Sequence, residues 1–168
     1  MFQTPKFLKE TGKGALSFSN KTKINVEKCA YIEYIIGKIN ELSAKSSMDG
    51  AEPIESISFS LGIPEEVKNE ISREIVGNDE EYVLSLGKKS EVYAKTSNGF
   101  LRALSTILQL SDEGELRELL IYDYPASPER GYRVYMPGRK TMGDFLKMID
   151  FLVYYNYNAL ILEVGGAM

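Results

Sequence analysis

The sequence predicts an α+β fold, with helices packed on one face of a mostly antiparallel or mixed sheet, followed by the β-α-β opening of a second domain that stops short. Three observations predict it. Residues 57–63 and 82–94 alternate apolar and polar side chains with the period of a half-buried strand. Residues 27–43 and 97–110 repeat apolar side chains with the period of a helix. After Pro125 and Pro128 the pattern restarts as strand, helix, strand. Hairpin-linked strands with helices gathered beside them belong to an α+β layer. The boundary therefore falls between a small α+β accessory domain, residues 1–125, and a second segment, residues 126–168.

Taken in order, residues 1–25 are polar and lysine-rich, with a strand over 15–18 and a further short one over 21–26. Cys29, Ile32, Ile36 and Ile39 then fall on one helical face, and Asn25 is the candidate N-cap. Residues 44–53 have loop chemistry. Ile57, Phe59, Leu61 and Ile63 form the apolar face of a strand that Pro64 ends, and a short helix over 65–71 follows. Gly77-Asn78-Asp79 is a turn. Tyr82, Leu84 and Leu86 pair with Val92 and Ala94 through a hairpin at Gly87-Lys88-Lys89. Ser97 or Asn98 caps a second long helix whose buried face is Phe100, Leu104 and Ile107. An apolar strand over 119–122 ends at Asp123-Tyr124-Pro125.

In the second segment, residues 131–136 read as a strand broken by Pro137-Gly138. Thr141 and Asp144 have the spacing of a capping box. Phe145, Ile149 and Leu152 mark a helix face that stops at Asn156, and residues 159–164 are an apolar parallel strand interrupted only by Glu163.

Composition narrows the chemistry. Hydrophobic residues are 43% and charged residues 26%, which is globular rather than disordered. A net charge of −4 without a basic stripe argues against nucleic acid as partner. The absence of histidine removes Ser-His-Asp triads, Cys-His pairs and zinc helices from this chain. Cys29, the one cysteine, reads as a buried core thiol. Asp79-Glu80-Glu81 reads as a solvated turn and not a metal site. Gly12-Lys13-Gly14 and Gly165-Gly166 lack phosphate-loop spacing, so no cofactor is expected. Residues 1–10 contain no continuous apolar run, which excludes a signal peptide or membrane anchor there and points to the cytoplasm. The sequon at Asn20-Lys21-Thr22 matters only in a secreted protein.

Several motifs then come in succession: Tyr82-Val83-Leu84-Ser85-Leu86, Val92-Tyr93-Ala94, Gly99, Thr106-Ile107-Leu108-Gln109-Leu110, Ile121-Tyr122-Asp123-Tyr124-Pro125 and Arg130-Gly131. As a set they resemble glycoside hydrolase family 20, the β-N-acetylhexosaminidases. The resemblance spans residues 82–163 by motif and 15–75 by element order. It implies that a small α+β domain precedes a (β/α)₈ barrel, and that residues 126–168 are the first β-α-β of a truncated barrel. It also implies a parent enzyme that hydrolyses terminal N-acetylhexosamine glycosides with retention, the substrate's own 2-acetamido group acting as nucleophile. The family's adjacent Asp-Glu pair stands on the fourth barrel strand, so the chain carries no catalytic residue and is expected to be inactive alone. The alternative is a non-catalytic accessory or interaction domain of a carbohydrate-active protein.

The resemblance also assigns candidate residues. Arg139 matches the arginine that holds sugar hydroxyls after the first barrel strand, at the end where barrel sites form. It stands nine positions after Arg130 where the family has eight, and Tyr135 or Met136 replaces the family's aspartate. The other reading of Arg139 is a solvated loop arginine. Glu163 sits where the family commonly has histidine; it either faces the sugar or pairs with a nearby Arg or Lys. Asp123 and Arg130 flank the domain junction as structural groups, Asp123 bonding turn amides. The run Tyr154-Tyr155-Asn156-Tyr157 reads as packing and helix termination. The expected partner is the carbohydrate substrate of the full-length protein. Two unclosed strands also predict that their edges are hidden by the helix, by homo-oligomerisation or by a disordered tail.

Overall fold

The structure, a computed structural model, describes residues 4–45, 50–112, 114 and 116–165. Part of the loop predicted over 44–53, and Gly166, lie outside the described residues. The fold is α+β, with four helices and a mixed sheet among the described residues. It divides into two compact units, Met1–Pro125 and Ala126–Met168.

The first unit is built on seven strands: β1 (Phe7–Ser17), β2 (Lys23–Val26), β3 (Glu52–Pro53), β4 (Ser56–Leu61), β5 (Tyr82–Leu86), β6 (Lys89–Ala94) and β7 (Arg117–Asp123). Their order in the sheet is β2-β4-β6-β5-β7-β1-β3. The β5–β6 hairpin is antiparallel, as the alternation predicts, and β7 and β1 continue the antiparallel run. On the other side β4 joins β6 in parallel, and β2 joins β4 in parallel. The register between β1 and β7 shifts between Glu10 and Ala15, which marks a bulge.

Two long helices, α1 (Ile32–Lys45) and α3 (Ser97–Asp112), contribute to one core. It contains Ile35 and Ile39 from α1, Phe100, Leu104 and Ile107 from α3, and Phe59, Leu84, Val92 and Ile121 from the sheet. Phe59 and Phe100 meet edge to face with centroids 5.6 Å apart. Such a pair contributes about 0.5–1.5 kcal/mol beyond its area. The short helix α2 (Glu65–Ile71) covers the opposite sheet face, where Ile71 packs with Val83, Leu120 and Tyr122. There the Tyr122 hydroxyl accepts from the Val76 amide and donates to the buried Glu81 carboxylate. Burial pushes that phenol up to about 12. Glu80 is also buried, so the predicted solvated turn is corrected. Its Oε1 lies 3.1 Å from Arg102 Nε, off the N–H direction, an ion pair inside the core rim.

Four local expectations change for physical reasons. Asn25 does not cap a helix. It lies inside β2, paired with Ser58, and α1 starts at Ile32. The buried face of α1 is Ile35, Ile39 and Leu42; Ile32 and Ile36 border a shallow groove beside β2, and Cys29 is only partly buried. Leu61, expected on the apolar face of β4, is 42% exposed at the strand end. The cap of α3 is Thr96, whose Oγ1 accepts the Asn98 amide at 3.1 Å.

The second unit holds β8 (Gly131–Tyr135), a 3-10 turn (Arg139–Thr141), α4 (Met142–Tyr154) and β9 (Ala159–Glu163). The two strands are parallel. The capping box does not form: the Thr141 hydroxyl donates back to the Gly138 carbonyl instead. Asn156 ends the helix in the left-handed region at φ 63°, a conformation asparagine tolerates.

Candidate functional site

The candidate site lies on β8 and β9. Their register pairs Gly131 with Ala159, Arg133 with Ile161, and Tyr135 with Glu163. Because side chains alternate along a strand, these six residues share one face. Tyr132, Val134, Leu160 and Leu162 share the other. The first face runs from small residues at the strand starts to a polar and aromatic group at the strand ends. Arg133 Nη2 lies 2.7 Å from Glu163 Oε2, with Glu163 half-buried and Arg133 exposed. Glu163 is thus paired with a residue that the motif succession did not single out. Tyr135, directly opposite Glu163, is 69% exposed. Arg139 opens the 3-10 turn just beyond β8 and is also exposed.

Arg130 fixes the start of these strands. Its Nε donates to the Asn156 carbonyl and its Nη1 to the Ser127 carbonyl, both at 2.6 Å. Its amide donates to Asn158 Oδ1, while Asn158 Nδ2 donates to the Pro128 carbonyl. One guanidinium therefore ties the entry of β8 to the loop that launches β9, which sets the register on which Arg133 and Glu163 meet. Asp123 belongs to the other unit. At the end of β7 its Oδ1 accepts the Lys6 amide at 3.3 Å, and the Lys6 ammonium stands 5.3 Å from the Tyr124 ring centre. Burial raises the Asp123 carboxyl above its ordinary value, and the amides of Tyr124 and Lys6 offset part of that rise.

Two other features carry less chemistry. A groove of about 540 Å³ runs between β2, β4 and α1, bordered by Ile24, Val26, Ile32 and Phe59. Its one carboxylate, Glu27, accepts the Leu61 amide at 2.6 Å and so extends the strand pairing of β4. Among the described residues no three His, Cys, Asp or Glu side chains come together as a metal site, and no helix is long and apolar enough to cross a membrane.

The architecture is shared with parts of larger solved structures. One similar solved structure is an inactive mutant of a glycoside hydrolase family 20 exo-β-N-acetylglucosaminidase from Vibrio harveyi, with a TM-score of 0.64 at 14% identity over 95% of this chain and 24% of that one. Another is CpGH84B, with a TM-score of 0.63 at 16% identity over 98% of this chain and 29% of that one. The chain thus spans less than a third of the length of these structures. No protein-family model and no curated protein sequence matches it.

Proposed function

We propose that the chain is the leading part of a family-20-like glycoside hydrolase, whose parent removes terminal N-acetylhexosamine residues by substrate-assisted retention. The observation that carries this reading is a coincidence of two kinds of likeness. The motif succession from Tyr82 to Gly131 resembles that family, and the fold resembles part of a family-20 exo-β-N-acetylglucosaminidase. On this reading residues 126–165 are the first β-α-β of the barrel. Arg139 and Glu163 then stand at the C-terminal ends of strands one and two, where barrel enzymes bind substrate. The acid and the positioning carboxylate belong to later strands, and the 168 residues alone are inactive.

Substrate assistance supplies the test. The attacking group is the sugar's 2-acetamido oxygen, so a substrate without it lacks a nucleophile. The full-length gene product should release the chromophore from an aryl N-acetyl-β-glucosaminide and leave the matching aryl β-glucoside intact. Equal hydrolysis of both, or of neither, overturns the reading.

A further inference from the structure

We infer that Arg133, Tyr135 and Glu163 form a hydroxyl-reading subsite for a neutral pyranose, with Arg133 as a binding residue that no motif assigns. The inference rests on the proposed orientation of β8 and β9 as barrel strands with a sugar at their C-terminal ends.

Arg133 is a charged residue in the middle of β8, and its partner Glu163 closes β9 beside it. The pair fixes chemistry at this end of the strands. A guanidinium carries five donors in a rigid fork, and a carboxylate has about four acceptor positions. The contact at 2.7 Å engages one edge of each group. The remaining edges present donors beside acceptors, at the spacing of the two groups themselves.

That pattern suits a vicinal diol. A sugar hydroxyl both donates and accepts, so one hydroxyl can donate to Glu163 while its neighbour accepts from Arg133. A free phosphate or carboxylate fits less well, because the Glu163 charge opposes it. Tyr135 adds the second half of the recognition. Tyr135 pairs with Glu163 in the register, and a Cβ built on Gly165 would stand 3.8 Å from Tyr135 Cε1, so the glycine leaves that edge of the ring clear. A tyrosine ring beside a donor-acceptor pair offers an apolar surface to the C–H face of a pyranose and polar contacts to its rim. Specificity sites take this form, a mostly apolar wall with a few placed polar groups.

The test compares the full-length protein with its Arg133→Met, Glu163→Gln and Tyr135→Ala variants. Two readouts run in parallel: kcat and KM on the aryl N-acetyl-β-glucosaminide, and direct binding of N-acetylglucosamine by saturation-transfer NMR. Loss of a charge-assisted hydrogen bond to a hydroxyl should raise KM or Kd about tenfold or more, with kcat changed less. Arg133→Met combined with Glu163→Gln should cost less than the two single losses added, since both read one diol. Thermal melts within a few degrees of the parent establish that each variant folds. If the parent turns over or binds sugar and all three variants keep its KM and Kd, the subsite is overturned while the hydrolase reading stands. If the parent binds sugar through these residues but hydrolyses nothing, the subsite stands and the hydrolase reading falls. If the parent neither binds nor hydrolyses, both fall.

Discussion

At Gly99 the fold leaves no space for a side chain. A Cβ there would run into the Glu81 carbonyl oxygen and would stand 2.6 Å from Ala94 Cβ. The first turn of α3 is thereby pressed against the end of β6 and the start of β5. Because the obstruction is partly backbone, it cannot swing aside as a flexible side chain would. Gly99→Ala should therefore destabilise the protein by about 2 kcal/mol or more, measured as a lower urea midpoint with unchanged slope. A neutral result would mean that α3 can shift along the sheet. The glycine was legible in the sequence as part of a motif, although its reason was not, since that depends on a carbonyl eighteen positions earlier. Arg133 is the opposite case. An arginine alternating through a short strand reads as a solvated side chain, and only the β8–β9 register brings it to Glu163.

Elements were legible where their own residues decide the structure. The β5–β6 hairpin, α2 and the buried face of α3 follow from local period and turn chemistry. The start of α1 was not legible, because asparagine favours a cap over a strand, and only the parallel pairing of β2 with β4 overrides that preference at Asn25. Much of β1 was hidden for a similar reason. Its sequence is rich in Lys, Glu and Gly, without alternation, and only β7 makes it a strand. The meeting of those two strands ends on Asp123, which accepts the amide of Lys6. Burial raises that carboxyl's pKa in the folded state, so the folded protein holds the proton more tightly than the unfolded chain does. The stability linked to this group is present below the unfolded value, about 4, and is lost as pH rises through the folded one. Asp123→Asn keeps an acceptor for Lys6 and removes the charge. It should be more stable than the parent at pH 7 in urea titrations, with the gain disappearing below about pH 4. A variant that is less stable at pH 7 would show that the ionised carboxylate is held by more than these two amides.

Across the whole molecule, buried apolar residues are unevenly shared. Among the described residues, every buried hydrophobic side chain but Leu152 belongs to the first unit. Tyr135, Met136, Leu146, Phe151, Ile161 and Val164 are all exposed in the second. Local opening free energy follows buried contacts. Amides of α3, β5 and β7 should therefore exchange with deuterium only through global unfolding, while those of β8 and β9 exchange orders of magnitude faster. Equal protection in both units would refute this, and would mean that the second unit gains its stability elsewhere.

The long reach of β1 has a consequence for synthesis. Lys6 and its partner Asp123 are 117 positions apart, so the first strand of this unit to leave the ribosome pairs with the last. At usual elongation rates that wait is on the order of ten seconds. An unpaired strand is an invitation to other chains, and natural edges discourage it with lysine and other charges. Lys9, Glu10 and Lys13, spread through β1 with Gly12 and Gly14, give it that protection. The polar composition that disguises β1 as loop is what allows a newborn strand to wait for its partner without aggregating.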